Sequence, residues 1–271
     1  MPHKILTIAG SDVIAGGGIQ ADLATFSNYG YFGLSVLTSI VTVTTSEFKL
    51  FPVDTEIIAS QLQAVLEVDD ILAIKVGLLP TPEIITLVAN YLSRVDLPII
   101  IDPVMVFKET SKIDTKNVAT AIKNELLPLA TIVTPNLNEA QILSDQMINS
   151  LPEMKQAAKT IFECGAKNVV IKGGTALIGN QAVDMLYDGV SFKVLTQEKI
   201  TTAPLYHNGA GCTLSASIAA NLGRSSNIIA AVEDAKEFVW QGIKNGVTIN
   251  KKFAVGNVWQ GARRSHYGTE I

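Results

Sequence analysis

The stretch Asn208-Gly209-Ala210-Gly211-Cys212-Thr213-Leu214-Ser215 lies near the carboxyl end of the chain and runs directly into an apolar helical pattern. Glycine at 209 and 211 permits backbone shapes and close approaches that a side chain would block. A helix that starts here presents unpaired N–H groups and the positive end of its dipole, which favour an anion. The segment therefore predicts an anion site with Cys212 inside it as a nucleophile or base. An ordinary turn followed by a small buried cysteine is the alternative interpretation.

Length and composition narrow the class of protein. The 271 residues are 48% hydrophobic and 17% charged, which is enough for a large core in one α/β domain or two small ones. A net charge of −4 without a basic face argues against nucleic acid as the main partner. The opening MPHKILTIAG is too short for a signal peptide, and no stretch approaches the roughly 18 apolar residues of a membrane span. Two cysteines form neither a disulfide framework nor a zinc set, so we expect a soluble cytoplasmic protein with no membrane partner.

Apolar runs rich in β-branched residues alternate with amphipathic helical patterns along the chain. Strands are predicted at 5–9, 34–43, 71–76, 98–101, 130–133 and 168–171, with an antiparallel hairpin at 182–187 and 192–195. Helices are predicted at 19–26, 55–66, 83–92, 115–127, 152–162, 213–222 and 228–245. This alternation predicts an α/β fold with a mostly parallel sheet that helices cover on both faces. Since no linker or repeat interrupts it, we expect a single domain over residues 1–271.

Charged residues and glycines follow several of the predicted strands. In open α/β sheets ligands gather beyond the carboxyl ends of the strands. Those ends read Gly10-Ser11-Asp12, Lys75-Val76-Gly77, Asp102-Pro103, Thr134-Pro135-Asn136 and Lys172-Gly173-Gly174. The sequence therefore predicts a functional edge of the sheet at which these residues meet.

A glycine-rich loop follows the first strand. Gly16-Gly17-Gly18-Ile19-Gln20-Ala21 matches the dinucleotide-binding fingerprint formally, but its first glycine comes six residues after the predicted strand and no acidic residue ends the second strand. A flexible loop that lets backbone approach a small ligand is the better interpretation. Asp22, one turn into the next helix, could accept a hydrogen bond from that ligand, or it could merely complement the helix dipole.

Two further segments offer charge at the same edge. Asn136 and Glu139 fit a capping box, and the carboxylate could also hold a hydrated Mg²⁺. Lys172, followed by two glycines, could act as a point charge on phosphate or could be a solvated lysine at a turn. An anion site, a lysine, an acid suited to a metal and a glycine loop are together the parts of phosphoryl transfer.

Several strings of the chain are similar to those of one known group of enzymes. They are Leu6–Asp12, Gly18–Leu23, Asp102–Val106, Leu127-Pro128, Thr134–Asn136 with Glu139-Ala140, Lys172–Gly174 and Gly209–Thr213. Over nearly its whole length the chain resembles the ribokinase-like superfamily, and within it the hydroxymethylpyrimidine/phosphomethylpyrimidine kinases and the bacterial pyridoxal kinases. The resemblance implies a three-layer α/β/α sandwich and, as its suggestion, a homodimer. It also implies ATP-dependent, Mg²⁺-assisted transfer of a phosphoryl group to the primary alcohol of a small aromatic heterocycle.

The resemblance also implies roles for individual residues. Gly209, Ala210 and Gly211 form the anion hole, and Cys212 is the base, which we expect to accept the substrate proton late. A helix N-terminus can lower the pKa of this thiol, and nearby ATP phosphates would raise it again. Gly18, Asp22, Val43 and Val104 are expected to contact the substrate, and Lys108 belongs to a lid. ATP is expected to contact Lys172, Gly173, Asn136 and Glu139. Glu139, through water, and Asp102 are expected at the metal.

The expected substrate is a B6 vitamer, because pyrimidine kinases place a Gln or Glu where this chain has Val43. An apolar residue there leaves the exocyclic amine of the pyrimidine unpaired, at about 1–3 kcal/mol. Hydroxymethylpyrimidine remains the alternative substrate. Departures from the group are Phe107 at a position that can be a lid cysteine, Asn208 in place of a histidine with His207 before it, and a shorter segment at 44–52.

Two other classes stay open. A sugar or nucleoside kinase of the superfamily would carry aspartate at position 212, where this chain has cysteine. A non-catalytic protein that binds a pyridoxal-type ligand is the remoter alternative, against which the intact Lys172, Glu139 and Cys212 argue.

Overall fold

The computed structural model describes residues 1–105, 115–201, 205–253 and 255–265. The strands in these residues are β1 (Lys4–Asp12), β2 (Phe32–Val43), β3 (Phe48–Pro52), β4 (Ile71–Val76), β5 (Ile99–Ile101), β6 (Ile132–Val133), β7 (Val169–Lys172), β8 (Gln181–Tyr187), β9 (Phe192–Glu198), β10 (Leu205–Asn208) and β11 (Val255–Asn257). The α-helices are α1 (Gly18–Asn28), α2 (Thr55–Leu66), α3 (Pro82–Leu92), α4 (Thr115–Ala121), α5 (Leu137–Ser144), α6 (Leu151–Glu163), α7 (Ala210–Leu222), α8 (Ile228–Lys244) and α9 (Ala262–Ser265). Among them is no helix with the length and hydropathy needed to cross a membrane.

Nine strands form one sheet in the order β3-β2-β1-β4-β5-β6-β7-β8-β9. The central strands from β2 to β7 are parallel, while β3, β8 and β9 each run antiparallel to the strand before them. Helices cover both faces: α2 to α6 contribute to one apolar cluster, and α1, α7 and α8 contribute to the other. The expected three-layer α/β/α sandwich with a mostly parallel sheet is therefore confirmed.

The order of the strands identifies one place in the sheet where the chain changes direction. β1 lies between β2 and β4, so the chain first adds a strand on one side of β1 and then builds outward on the other. Helices α1 and α3, which follow β1 and β4, lie on opposite faces of the sheet. A crevice opens at the carboxyl ends of such strands, and ligands of open α/β sheets bind there.

Helix starts follow the local sequence signals. Thr81 caps α3 and is followed by Pro82, and Ser150 caps α6 in the same way before a proline at the second helical position. Asp54 accepts a hydrogen bond from the amide of Glu56 at the start of α2. These side chains satisfy amides that the helix itself leaves unpaired, which is why the predicted starts agree closely with the structure.

Some predicted elements differ from the structure. The helix expected at 115–127 is α-helical to Ala121, continues as a π turn over Ile122–Leu126 and ends in a 3₁₀ turn over Leu127–Leu129. Pro128 has no N–H to donate to a preceding carbonyl, which disfavours regular α-helix there. The strand expected at 130–133 is only Ile132–Val133. Strands β3, β10 and β11 were not predicted, because each is short or half exposed.

A small second sheet positions the start of α7. In it β10 pairs with β11, with Asn208 opposite Asn257, and the amide of Val258 donates to the carbonyl of Asn208 at 3.0 Å. Asn257 also donates through Nδ2 to the carbonyl of Ile14 at 2.7 Å. The segment before α7 is therefore attached to the loop after β1.

Candidate active site

The amino-terminal end of α7 lies against the glycine loop that follows β1. Gly209 has φ +83° and precedes the helix, and a Cβ on it would stand 3.3 Å from the carbonyl oxygen of Gly16. The first helical hydrogen bond runs from the amide of Thr213 to the carbonyl of Gly209 at 2.8 Å. The amides of Ala210, Gly211 and Cys212 therefore precede the helical hydrogen-bond ladder and can turn toward a ligand.

Cys212 lies where the two segments touch. The amide of Gly18 donates to its Sγ at 3.4 Å, and a Cβ on Gly17 would be 3.6 Å from the sulfur. Cys212 as a whole is partly exposed, but Gly17 and Gly18 lie against its sulfur. Burial raises the pKa of the thiol to about 11, and the charge of Lys75 opposes the rise. The expectation that the helix N-terminus lowers the pKa is wrong, because desolvation outweighs it.

Lys172 and Asp102 meet beside this helix end. Lys172 Nζ donates to Asp102 Oδ1 at 2.6 Å, and a Cβ on Gly211 would lie 3.1 Å from the same nitrogen. Burial alone would lower the pKa of Lys172, but Asp102 and Glu139 outweigh it and the pKa is raised. The ammonium therefore remains charged next to the amides of α7. Asp102 also accepts hydrogen bonds from Thr134 and Ser215.

Asn136 and Glu139 form the capping box of α5. Asn136 Oδ1 accepts from the amide of Glu139 at 2.9 Å, and Glu139 Oε2 accepts from the amide of Asn136 at 2.8 Å. Glu139 is almost fully buried, and burial raises its pKa to about 7 against the opposing charge of Lys172. The capping interpretation is thus confirmed, and the same carboxylate also lies within electrostatic reach of Lys172 and Asp102.

Within the described ranges no group of three or more His, Cys, Asp or Glu side chains could enclose a metal ion. Asp102 and Glu139 instead place two carboxylates near one lysine. Mg²⁺ commonly binds through one or two carboxylates together with water and substrate phosphates. The residues present therefore fit a hydrated ion that arrives with a nucleotide, and they do not fit a cage formed by protein alone.

Asp22 forms a buried ion pair that the sequence interpretation did not include. Its Oδ2 accepts from Lys75 Nζ at 2.9 Å and from Thr7 Oγ1 at 2.6 Å, while Oδ1 is buried and has no hydrogen-bond partner in the described residues. Asp22 lies beyond the first turn of α1, so complementing the helix dipole does not explain it. Gly18, the first residue of α1, has φ +60°, and a Cβ on Gly18 would lie 2.1 Å from the carbonyl oxygen of Gly10.

The remaining expected substrate residues lie at the same edge of the sheet. Val43 ends β2, two residues beyond the residue that pairs with Asp12, and it faces Phe48 across the β2–β3 hairpin. Val104 is half-buried, two residues after Asp102, and its amide donates to the carbonyl of Asp102 at 2.8 Å. Phe107 and Lys108 lie outside the described residues. Contact of Val43 and Val104 with a substrate therefore remains a prediction.

Gly173 has a packing role. A Cβ on it would lie 2.4 Å from the carbonyl oxygen of Val183 on β8, so a side chain is excluded there. The next amide, that of Gly174, donates to Asp184 Oδ1 at 3.1 Å, and Asp184 Oδ2 accepts from Lys236 of α8 at 2.6 Å. This arrangement fixes the turn that follows Lys172. Contact of Gly173 with ATP remains a prediction.

The sequence interpretation placed Lys75 at this edge without a partner, and it missed the roles of Thr7 and Ser215. Lys75 interrupts the apolar run Ile71–Val76, which is a usable signal, whereas Thr7 and Ser215 are small and unremarkable in sequence. His207 is exposed, and Asn208 donates through Nδ2 to the carbonyl of Val255 at 3.4 Å, which gives it a structural role. The structure brings together Gly18, Asp22, Asp102, Glu139, Lys172 and the segment 209–212.

Comparison with known proteins identifies the family of this chain. Residues 12–257 match the model of the family described as phosphomethylpyrimidine kinase. The chain belongs to that family. A pyridoxine kinase of Bacillus subtilis is 42% identical over 92% of this chain and 93% of its own. A hydroxymethylpyrimidine/phosphomethylpyrimidine kinase of Aquifex aeolicus is 35% identical over 92% of this chain and 98% of its own.

A solved structure is also similar over most of the chain. It is the pyridoxal kinase of Staphylococcus aureus in complex with AMP-PCP and pyridoxal, which superposes with a TM-score of 0.89 at 39% identity and covers 97% of this chain and 95% of its own. A protein this similar has the same fold. The chain is therefore an ATP-dependent kinase.

The glycines at 173 and 174 permit a matched test of the turn after Lys172. Gly173→Ala places a Cβ against the carbonyl of Val183 and is expected to lower the free energy of unfolding by about 3 kcal/mol. Gly174→Ala meets no atom within 4 Å and is strained only by its φ of +52°, so about 1 kcal/mol is expected. Urea unfolding followed by circular dichroism measures both, and equal losses would contradict the packing role of Gly173.

Proposed function

We propose that this protein is an ATP-dependent kinase that transfers the γ-phosphoryl group to the primary hydroxyl of a B6 vitamer, namely pyridoxal, pyridoxine or pyridoxamine. The observation that carries the proposal is the meeting of Lys172 with the end of α7: its Nζ would be 3.1 Å from a Cβ on Gly211. An ammonium group and unpaired amides thus face one small volume. A single kinase domain over residues 1–271 is part of the proposal, supported by one sheet that runs from β1 to β9.

The site is suited to transfer by positioning and charge neutralisation. Transfer of a phosphoryl group goes through a loose transition state whose charge spreads over three oxygens, so catalysis depends chiefly on where positive charge is fixed. Amides of Ala210, Gly211 and Cys212 supply fixed dipoles, and Lys172 supplies a full charge. Asn136 lies next to Lys172 because the two residues form an isolated parallel β-bridge, and Gly173 follows Lys172 in the chain. Both residues complete the proposed ATP-binding edge.

Cys212 is the proposed base. The alcohol oxygen bonds to phosphorus, the bond from the γ-phosphorus to the bridging oxygen of ADP breaks, and the alcohol proton passes to Sγ. In a loose transition state this proton leaves late. Sγ must be a thiolate when it accepts the proton, and because burial raises its pKa to about 11, nearby positive charge that favours the thiolate speeds the step.

Mg²⁺ is proposed to arrive with ATP. Glu139, through water, and Asp102 would hold it beside Lys172, since both carboxylates act on that lysine. When bound, the ion neutralises phosphate charge.

Two observations support a B6 vitamer as the proposed acceptor. One is Val43, and the other is that the pyridoxine kinase of Bacillus subtilis is more similar to this chain than the pyrimidine kinase of Aquifex aeolicus is. Val43 offers no hydrogen bond to the exocyclic amine of a pyrimidine, and its neighbour across the hairpin, Phe48, is apolar too. Asp22 with its unpartnered Oδ1, together with the backbone at Gly18 and the side chain of Val104, are the proposed contacts to the ring. Hydroxymethylpyrimidine is the second candidate, since the Aquifex relative is named a hydroxymethylpyrimidine/phosphomethylpyrimidine kinase and the family model a phosphomethylpyrimidine kinase.

The test is steady-state ADP release with Mg²⁺ and each of four acceptors: pyridoxal, pyridoxine, hydroxymethylpyrimidine and ribose. We expect kcat/KM for the B6 vitamers to exceed that for hydroxymethylpyrimidine by about tenfold or more, the effect of one unpaired amine. The reverse order would make the chain a pyrimidine kinase. Turnover with ribose alone would contradict both assignments, and no turnover with any acceptor would leave only ligand binding.

In the same assay the two cysteines give a matched pair. Cys212→Ala is expected to lower kcat by at least about tenfold, because a general base typically contributes more than that. Cys164→Ala is the control, since Cys164 is the C-cap residue that follows α6 and its thiol donates to the carbonyl of Thr160. A loss below tenfold in Cys212→Ala would refute the role of the thiol as base.

We further propose a cytoplasmic homodimer. The two cysteines are free thiols, which suits a reducing compartment. Ile40 and Phe51 are register partners on β2 and the edge strand β3, and they are 40% and 51% exposed. Cross-strand partners project on the same face, so they present adjoining apolar surface that a second copy would cover.

Size-exclusion chromatography with light scattering tests the dimer. The wild-type chain is expected at twice its monomer mass, and Ile40→Lys/Phe51→Lys is expected at the monomer mass. Ile178→Lys is the matched control, because Ile178 is fully exposed in a distant loop after β7. A monomeric wild type, or a double variant that keeps the dimer mass, would contradict the proposed interface.

A further inference from the structure

A fully buried ion pair lies behind the glycine loop. Lys75 Nζ is 2.9 Å from Asp22 Oδ2, and neither side chain has any exposed surface. Thr7 adds a hydrogen bond to the same carboxylate oxygen at 2.6 Å. Replacing a buried ion pair by apolar residues is often neutral or stabilising, so the fold alone does not require this pair.

The pair lies at the point where the order of strands reverses. Thr7 on β1 is the register partner of Lys75 on β4, and Asp22 reaches them from α1. Gly77 makes room for the lysine, because a Cβ on it would lie 2.6 Å from Nζ. The chain therefore accommodates a charge at the place in an open α/β sheet where ligands bind.

The pair is connected to Cys212 by α1. Gly18, the first residue of α1, donates its amide to the sulfur, and Asp22 follows one turn later. Four charged side chains act on the thiol from the surrounding elements: Lys75 from β4, Asp22 from α1, Asp102 after β5 and Lys172 from β7. The two lysines favour the thiolate, and the two carboxylates disfavour it.

Lys75 stays protonated in the neutral pH range. Burial alone would lower its pKa, but Asp22, Cys212 and Asp102 outweigh burial and the pKa is raised. The side chain is also fully buried in the described structure. Its influence on the reaction is therefore that of a fixed positive charge.

We propose that Lys75 is a positioning residue whose ammonium charge, held in place by Asp22, stabilises the thiolate of Cys212. The significance of this thiolate for catalysis rests on the proposed kinase function, in which Sγ accepts the proton of the acceptor alcohol. The coupling between lysine and thiol is a property of the free protein and can be measured without any substrate.

The experiment measures alkylation of Cys212 by iodoacetamide in the full chain carrying Cys164→Ser, which leaves a single thiol. Lys75→Met/Asp22→Asn removes both charges and is expected to slow alkylation at about pH 8.5 by about threefold or more, half a pKa unit. Lys75→Met alone removes the lysine charge and leaves the opposing carboxylate, so it is expected to slow alkylation as well. General loosening of the fold would expose the thiol and speed alkylation, so a slower rate does not arise from it.

Arg263→Met/Asp234→Asn is the matched control. It removes another ion pair, 2.9 Å apart, which joins α8 to α9 and whose charges are not named among those that act on Cys212. Alkylation in this variant is expected to match that of the parent chain. An unchanged or faster rate in Lys75→Met/Asp22→Asn would overturn the proposal. If that variant does not fold, Lys75→Met decides alone, and an unchanged or faster rate overturns the proposal.

A kinase assay on the same variants separates this proposal from the function. We expect kcat for pyridoxal in Lys75→Met/Asp22→Asn to fall at least as far as the alkylation rate. Altered alkylation with a parent chain that is inactive on all acceptors would support the charge coupling and contradict the proposed function. Unaltered alkylation in the variants, with a parent chain that is active, would contradict the charge coupling and support the proposed function.

Discussion

The carboxylate of Asp102 ties together the parts of the molecule on which the site depends. Lys172 from β7 and Thr134 after β6 donate to one of its oxygens, and Ser215 from α7 donates to the other. Because Asp102 is almost fully buried, removing its lysine partner would leave an uncompensated charge at about 3–5 kcal/mol. One side chain thus fixes the distance between the lysine and the helix end that we propose to face a phosphate.

The same arrangement explains why the lysine is held ready without being neutralised. Asp102 and Glu139 keep Lys172 protonated, and the missing side chain of Gly211 leaves space next to its Nζ. A phosphate that enters this space meets an ammonium group whose position is already fixed, together with amides that precede the ladder of α7. Little reorganisation is then needed at the moment of transfer, which is the condition for effective electrostatic catalysis.

Much of this could be predicted from sequence because it follows from local rules. The alternation of apolar strands and amphipathic helices predicted the layers, and glycines followed by a helix at 209–212 predicted the anion site. What could not be predicted depends on side chains far apart in the chain. Lys75 and Asp22 are 53 residues apart, and their contact exists only because β4 pairs with β1.

The pKa of Cys212 is a second example. A helix N-terminus is visible in the sequence, but the cover that Gly17 and Gly18 place over the sulfur belongs to tertiary structure, and it reverses the direction of the shift. The short strands β10 and β11 were not predicted from sequence for a related reason. Their pairing positions the loop before α7, yet neither has enough residues to show a periodicity.

The central claim is that the amides at the start of α7 and the ammonium of Lys172 converge on the phosphoryl group that is transferred. A crystal structure of this chain with AMP-PCP and pyridoxal tests it most directly. The account predicts a terminal phosphoryl oxygen at about 3 Å from Lys172 Nζ and from an amide of the segment 210–212. A terminal phosphate bound elsewhere, with those amides open to solvent, would contradict it.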